Sequence, residues 1–165
     1  MIDPVVRAAS RADAGPLAVL EREARASVAM TRGGARWLDE HPEVGEGWPT
    51  ATETRSVFVA VLTEIAGPPG AELVVGYLVL DVDGPIAHVD QVYVTPEARQ
   101  LGFGDALLEL ATESARQSGA AYLEGHALPG DRETKNLYER AGITARLITV
   151  SRPLSGPSTP ADASR

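Results

Sequence analysis

A short stretch with two glycines, residues 99–106, constrains the fold of this chain more than any other feature. It follows the apolar, β-branched run from Ile86 to Val94, which predicts a strand. From Gly104 to Ala115, leucine and alanine recur at helical spacing, which predicts a helix. Glycine lets a backbone approach a ligand closely, and the N–H groups that open a helix attract anions. The stretch therefore predicts a strand, a turn and a helix, with an anion site at the turn.

The remaining patterns predict further strands and helices around this unit. Hairpins lie in the middle of the chain, because a Gly- and Pro-rich loop and then Asp83-Gly84 separate consecutive strand patterns. Helical crossovers lie towards both ends, so we predict a mixed α/β (α+β) fold with a mostly antiparallel sheet and helices on both faces. The predicted strands are residues 5–8, 57–62, 73–82, 86–94, 121–124 and 145–150. One predicted helix follows a Ser10–Asp13 capping box, a second begins at Gly104 and a third spans residues 132–140.

Two segments do not follow these patterns. Residues 31–54 are interrupted by glycine and proline, which predicts a loop with at most one short helix. The end of the chain is rich in Ser, Pro and Ala and has little apolar surface to bury. We therefore expect one domain over residues 1–154 and a disordered tail over residues 155–165.

The composition excludes several classes of protein. No apolar run approaches the roughly 18 residues that cross a bilayer, and no basic and apolar leader opens the chain, so we expect a cytoplasmic protein. The chain has no cysteine, which excludes disulfides and thiolate nucleophiles. His41, His88 and His126 do not share the spacing of metal ligands, so we expect no metal.

The net charge of −8, from 15 basic and 23 acidic residues, narrows the choice of partners. It repels nucleic acid and anionic membrane surfaces and concentrates cations near the protein. We therefore expect a cationic partner, with no nucleic acid and no membrane. An acidic surface that serves only solubility is the alternative interpretation.

Two familiar anion sites do not fit the glycine turn. A P-loop ends in Gly-Lys-Ser/Thr, whereas Asp105 and Ala106 follow Gly104 here. A dinucleotide-binding turn needs a third glycine where Leu107 stands, although Glu124 lies at the distance of its ribose-binding acid. Both nucleotide sites are therefore disfavoured.

Two motifs together resemble those of the GNAT superfamily of N-acetyltransferases. Residues 137–143, Leu-Tyr-Glu-Arg-Ala-Gly-Ile, are similar to the Leu-Tyr-Glu-x-x-Gly-Phe signature that closes the family's fold. The resemblance covers about residues 5–154 and is weakest over residues 31–54. The other motif, which resembles the family's pyrophosphate-binding motif, is Val94-x-Pro96-x-x-Arg99-x-x-Gly102-x-Gly104-x-x-Leu107-Leu108.

The resemblance implies that the strands at 86–94 and 121–124 splay apart to admit acetyl-CoA as co-substrate. In the family the pantetheine arm pairs with the open strand edge, and an amide-bearing arm is suited to such an edge. Glycines that only permit the turn are the alternative interpretation. The implied cofactor-binding residues are Val92, Tyr93 and Val94 for the arm, Arg99, Gln100, Leu101, Gly102, Phe103, Gly104, Asp105 and Ala106 for the pyrophosphate, and Asp131 and Lys135 beside them.

Two positions depart from the family's pattern, and a third carries a charge that is unfavourable for phosphate binding. Asp131 and Thr134 stand where the family often has Asn and Ala, and an ionised carboxylate cannot donate a hydrogen bond to the pantetheine arm. Asp105 places a negative charge near the phosphates. Arg132 and Lys135 either offset that charge or are simply solvated.

The resemblance also implies direct attack of an amine on the thioester, which needs no enzyme nucleophile. Tyr138 matches the tyrosine that protonates the leaving thiolate, and a core tyrosine is the alternative. A backbone N–H near Val92 would hold the thioester oxygen. His88 falls where some members carry a basic glutamate, and its ordinary pKa near 6.5 suits deprotonation of an ammonium, although an ordinary strand histidine is the alternative. Other candidate bases, acting through water, are Asp90, Glu124 and His126.

The sequence thus predicts an N-acetyltransferase that moves an acetyl group from acetyl-CoA to a primary amine of a small molecule or peptide. A non-catalytic acyl-CoA-binding regulatory module is the alternative, because a fold does not establish chemistry. A homodimer through the last strand is left open. Residues that could wall the acceptor site or simply pack are Trp37, His41 and Trp48, and apolar residues available to a dimer are Leu147, Ile148 and Val150.

Overall fold

The structure, a computed structural model, describes residues 3–63, 68 and 70–154. Three short 3-10 turns, at Arg11–Asp13, Gly45–Gly47 and Pro96–Ala98, join some of the helices and strands. The elements in chain order are β1 (Val5–Ala8), α1 (Ala14–Ala29), α2 (Gly34–Glu40), α3 (Trp48–Thr54), β2 (Ser56–Thr63), β3 (Glu72–Asp83), β4 (Ile86–Val94), α4 (Phe103–Gln117), β5 (Tyr122–Gly125) and α5 (Arg132–Arg140).

The five strands form one sheet in the order β1-β2-β3-β4-β5. Neighbouring strands are antiparallel except β4 and β5, which are parallel and are joined through α4. The β3–β4 hairpin turns at Gly84, whose φ of +56° favours glycine, and it places Asp81 opposite His88. The mixed, mostly antiparallel sheet that the sequence predicts is confirmed.

Side chains of β2 alternate between two apolar cores, one on each face of the sheet. Phe58 packs with Leu107 of α4 in the core on one face, which we call the α4 face. Val59 packs with Leu17 of α1 and Trp48 of α3 in the core on the other, which we call the α1 face. The prediction of helices on both faces is therefore confirmed.

Residues 31–54 contain two short helices, α2 and α3, so the prediction of at most one was wrong. Some of the glycines and prolines that suggested a loop lie at helix starts, where they are tolerated. Gly33 precedes α2 with a φ of +83°, and Pro49 stands in the first turn of α3, where its missing N–H has no helical partner to lose.

The predicted strand at 145–150 is wrong, because residues 143–150 form neither strand nor helix. Leu147 and Ile148 are each 79% exposed and Val150 is 89% exposed. A strand needs a neighbouring edge in register, and β5 spans only four residues. A dimer through this run stays a prediction, and the predicted tail at 155–165 lies outside the described residues. None of the described helices is long and apolar enough to cross a bilayer.

Candidate active site

The edge between β4 and β5 opens partway along β4. Pairing runs from Ile86 with Tyr122 to Val89 with Gly125, where β5 ends. Residues 91–94 of β4 remain paired with β3 on one side and have no strand on the other among the described residues. Two strands that separate in this way leave a wedge, lined on one side by backbone N–H and C=O groups that an amide-bearing ligand can pair with. The predicted splay is confirmed.

A β-bulge marks the point where the wedge begins. Gln91 pairs with Val79 and Val89 pairs with Leu80, so Asp90 is an extra residue on β4. A bulge locally bends its strand and increases its twist, and thereby re-aims the backbone groups that follow. On the α1 face, the Tyr77 hydroxyl donates to Gln91 Oε1 at 2.8 Å and holds the strand just past the bulge.

The glycine turn presents backbone N–H groups at the start of α4. Gly102 and Gln100 both have positive φ, +87° and +65°, and the first helical hydrogen bond runs from Ala106 N to the Gly102 carbonyl. The N–H groups of residues 103–105 therefore have no helical acceptor, as at every helix start. Together with the helix dipole, they fit a pyrophosphate.

The two glycines of this turn have different structural requirements. At Gly102 the left-handed backbone conformation itself favours glycine. At Gly104 an added Cβ would lie 3.0 Å from Leu137 Cδ1, so this glycine permits close packing of α4 against α5. The carboxylate of Asp105 accepts from Arg140 Nε at 3.0 Å, so Arg140 offsets its charge, rather than the Arg132 or Lys135 considered from the sequence.

Arg99 joins the end of β4 to α5. Its Nε donates to the Val94 carbonyl at 3.0 Å, and its Nη1 lies 2.6 Å from Glu133 Oε2 at the start of α5. Its guanidinium carbon also lies 5.6 Å from the centre of the Tyr93 ring, within cation–π range. The Arg99 side chain thus joins the open half of β4 to the start of α5 beside the glycine turn.

Tyr138 extends from α5 to the end of β5, where the wedge begins. It is 6% exposed, and a Cβ built on Gly125 would lie only 2.5 Å from the Tyr138 hydroxyl oxygen. Only glycine at position 125 leaves room for the hydroxyl there. Burial, and then the charge of Asp131, raise the pKa of Tyr138 above its usual value, so the phenol stays protonated across the physiological pH range.

The two remaining predicted cofactor residues make contacts within α5. The Asp131 carboxylate accepts from the Thr134 N–H at 3.0 Å and caps the helix. Lys135 lies 3.6 Å from Glu139 in an exposed pair one turn along the same helix. The Asn-to-Asp departure at 131 therefore retains a helix cap.

His88 lies on the paired half of β4, two residues before the bulge residue. Its ring stacks obliquely on His126, with ring centres 4.7 Å apart and planes at 59°. Burial and the His126 charge lower the pKa of His88, against the opposing effect of Asp90, Asp81 and Glu124. The structure thus groups His88 with all three other candidate bases, of which Glu124 is also paired with Arg146 at 3.0 Å.

Polar contacts of a buried carboxylate hold together the helices of the α1 face. Glu21 of α1 is 1% exposed and accepts from Val44 N at 2.7 Å, Gly45 N at 2.9 Å and Trp48 Nε1 at 2.9 Å. Trp48 is fully buried and is therefore a packing residue. The rings of the two other aromatic candidates, Trp37 and His41, stack at 4.2 Å.

Sequence reasoning missed three residues at or beside the wedge: Gly125, Glu21 and Arg55. Gly125 had a signal, since a glycine that ends a strand often marks a close approach by another group. Glu21 had a weaker one, because it replaces an apolar residue next to the buried Leu20 on the helix. Arg55 had none, because its partners are distant in sequence.

The comparisons with known proteins place the chain in a family. Residues 22–143, most of the chain, match the Acetyltransferase (GNAT) family. The chain therefore belongs to the GNAT family of acetyltransferases.

Solved structures share this fold at low identity. They include a ribosomal-protein-alanine N-acetyltransferase from Brucella melitensis biovar Abortus (18% identity, 92% of this chain and 100% of that one, TM-score 0.60). An aminoglycoside acetyltransferase from an uncultured soil metagenomic sample matches at 16% identity over 93% and 100% of the two chains, with a TM-score of 0.58. The PaiA N-acetyltransferase of Thermoplasma acidophilum, in complex with coenzyme A, matches at 15% over 85% and 89%, with a TM-score of 0.65. At these identities the likeness establishes the fold alone.

Proposed function

We propose that this acetyltransferase moves an acetyl group from acetyl-CoA to the nitrogen of a primary amine by direct attack. One observation carries the proposal: the Tyr138 hydroxyl reaches the end of β5 at the point where β4 and β5 part, above an open strand edge that leads to the glycine turn. An acyl thioester that follows this edge would bring its sulfur close to a phenol. Family membership supports acetyl transfer, and the placement of Tyr138 supports the chemistry of the leaving group.

The chain offers groups that match the pyrophosphate, the pantetheine arm and the thioester of the co-substrate. Within the 99–106 turn, the N–H groups of residues 103–105 hold the pyrophosphate at the start of α4, and the edge of β4 at residues 92–94 pairs with the pantetheine amides. The co-substrate supplies the activated acetyl group. A backbone N–H just past the bulge, near Val92, polarises the thioester carbonyl.

Two side chains move the protons in this proposal. The amine must be neutral to attack, and His88, whose pKa is lowered, accepts the ammonium proton either directly or through water. The new C–N bond forms as the C–S bond breaks, the leaving thiolate takes the Tyr138 proton, and the proton that the nitrogen loses on becoming an amide returns through water to the Tyr138 phenolate. A buried phenol with a raised pKa is protonated when that thiolate departs.

We further propose a cationic amine as the acceptor, from a small molecule or a peptide. Two structural neighbours are named as an aminoglycoside acetyltransferase and a ribosomal-protein-alanine N-acetyltransferase. The acceptors in those names are a small molecule and a polypeptide. Burial, and then the carboxylates of Glu23 and Glu97, raise the pKa of Tyr93 at the wedge against the opposing charge of Arg99. An acidic rim of this kind attracts a protonated amine.

A screen for thiol release tests the proposal. Purified protein and acetyl-CoA are mixed in turn with aminoglycosides, polyamines, free amino acids and peptides with free N-termini, and the acetylated product is identified by mass spectrometry. We expect release that requires both the protein and one class of amine. If acetyl-CoA raises the melting temperature but no amine in the screen is acetylated, the protein is a binding module and the proposed chemistry is wrong.

A further inference from the structure

Arg55, which lies between α3 and β2, joins three parts of the α1 face. Its Nε donates to Asp81 Oδ1 on β3 at 2.9 Å. Its Nη2 donates both to Asp81 Oδ2 and to Asp90 Oδ2, the latter at 2.8 Å. The side chain of Arg55 is only 27% exposed, as is that of Asp90. Charge-assisted hydrogen bonds of this kind are strong when they are partly shielded from water.

The contact with Asp90 holds the bulge of β4. Asp90 is the extra residue of the bulge and has no partner on β3, whereas its neighbours Val89 and Gln91 are both paired with that strand. Its carboxylate is instead fixed to a guanidinium that is itself fixed to β3. Arg55 therefore sets the direction in which β4 leaves the bulge and enters the wedge.

The same guanidinium balances the charges around His88. Asp81 lies directly opposite His88 in the register, and Asp90 follows it by two residues on the same strand. From β5 and the loop after it, His88 faces Glu124, which is paired with Arg146, and His126. Arg55 is therefore the cation that offsets the two carboxylates next to His88 on β3 and β4.

We propose that Arg55 is a positioning residue for acetyl transfer, which fixes the bulge at Asp90 and keeps His88 uncharged by neutralising Asp81 and Asp90. This rests on the proposed role of His88 as the base. Without the guanidinium, two carboxylates would stabilise the imidazolium form, and a larger fraction of His88 would hold a proton near neutral pH. That fraction of the protein would lack a working base, so the acidic limb of the rate profile would move to higher pH.

The experiment measures the pKa of His88 directly, by NMR titration of the three histidines, assigned with His41→Asn, His88→Asn and His126→Asn. We expect Arg55→Gln to raise the pKa of His88 by about 1 unit, the usual effect of an uncompensated charge within a few ångströms. Arg55→Lys, which keeps the cation, should restore most of the lower value. Arg11→Gln, which removes an exposed arginine paired with Glu53 and not with Asp81 or Asp90, is the matched control and should leave it unchanged.

A second set of variants separates charge from structure. In Arg55→Gln combined with Asp81→Asn and Asp90→Asn, both carboxylates are neutral, and the pKa of His88 should return towards that of the parent. If Arg55→Gln leaves the pKa of His88 unchanged in a folded protein, the inference about Arg55 is wrong. If the pKa rises but the acidic limb of kcat/KM for the amine does not move with it, His88 is not the base, and the proposed function fails there instead.

Discussion

The two sides of the wedge that we propose for the cofactor and for the acceptor, called here the cofactor side and the acceptor side, are built in different ways. The cofactor side, from the glycine turn to α5, depends on close backbone approach: Gly104 lies against Leu137, and Gly125 lies against the Tyr138 hydroxyl. The acceptor side, on the α1 face, depends on charged side chains that join distant segments, namely Glu21 with the turn at 44–48 and Arg55 with Asp81 and Asp90. Glycines shape the cofactor side, and hydrogen bonds of buried or half-buried charged side chains shape the acceptor side.

This difference predicts how each side responds to change. Small additions on the cofactor side meet atoms that are already at van der Waals distance, so they should alter cofactor geometry. Removal of charge on the acceptor side leaves polar groups without partners, which costs more than the lost contact itself. The acceptor side should therefore lose stability and amine selectivity together, while binding of acetyl-CoA is retained.

Tyr138→Phe should have the largest effect, because it should separate turnover from acetyl-CoA binding within the cofactor side. The change removes one oxygen and keeps the ring, so the packing of α5 and the affinity for acetyl-CoA should survive. Turnover should fall by about 10² to 10⁴, the usual contribution of a positioned general acid. The measurement is kcat with acetyl-CoA and a confirmed amine, beside the dissociation constant for acetyl-CoA.

An acyl thioester with a more acidic leaving thiol provides the control for Tyr138→Phe. A better leaving group needs the proton less, so the defect of the variant should shrink with this substrate. Turnover close to that of the parent protein with acetyl-CoA would reduce Tyr138 to a packing residue, and water or Glu124 would then have to protonate the thiolate.

Glu21→Gln should test whether the buried carboxylate organises the acceptor side. The carboxylate accepts from three N–H groups, and the amide nitrogen of Gln would face at least one of those donors. We expect the free energy of unfolding to fall by about 2 to 4 kcal/mol, and KM for the amine to rise while KM for acetyl-CoA stays constant. Denaturant titration and steady-state kinetics measure these effects, with the exposed Glu109→Gln as a control. Equal changes in both KM values would contradict the separation of the two sides.

Much of the cofactor side could be predicted from the sequence, because its signals are local. The glycine turn, the helix after it and Tyr138 all lie in short motifs. The acceptor side could not, since the partners of Arg55 are 26 and 35 residues away and β-propensity or charge alone does not identify them. The wrong strand at 145–150 has the same origin: β-branched residues favour a strand, but only the fold determines whether an edge is available to pair with it.

Gly104→Ala tests the cofactor side by itself, because it adds one methyl group there and changes no charge. The new Cβ would lie 3.0 Å from Leu137 Cδ1, so α5 must shift by a few tenths of an ångström. We expect a loss of about 1 kcal/mol in stability and a smaller rise in melting temperature on addition of acetyl-CoA. Gly15→Ala, where an added Cβ meets no atom within 4 Å, is the matched control. An unchanged acetyl-CoA shift in a folded Gly104→Ala protein would show that the cofactor does not depend on this turn.

Salt should have the smallest effect, and it tests whether the acceptor side attracts a cation. The chain carries a net charge of −8, and burial, followed by the carboxylates of Glu23 and Glu97, raises the pKa of Tyr93 against the opposing charge of Arg99. Raising the salt concentration from about 0.05 to 0.5 M shortens the reach of this field to a few ångströms. At saturating acetyl-CoA and low amine, the rate with a cationic acceptor should therefore fall about threefold or more.

The design of the salt experiment must separate the acceptor from the co-substrate, because acetyl-CoA is itself an anion whose binding responds to salt. Saturating acetyl-CoA removes that contribution, and an amine that is uncharged at the assay pH provides the matched control. The cationic amine should lose rate as salt rises, and the uncharged amine should not, since only the former is drawn in by the acidic rim. Glu23→Gln should weaken the salt dependence for the cation and leave the uncharged amine unaffected. If the true acceptor is acetylated at a rate independent of salt, the acidic rim serves solubility, and selectivity on the α1 face must come from shape and hydrogen bonding.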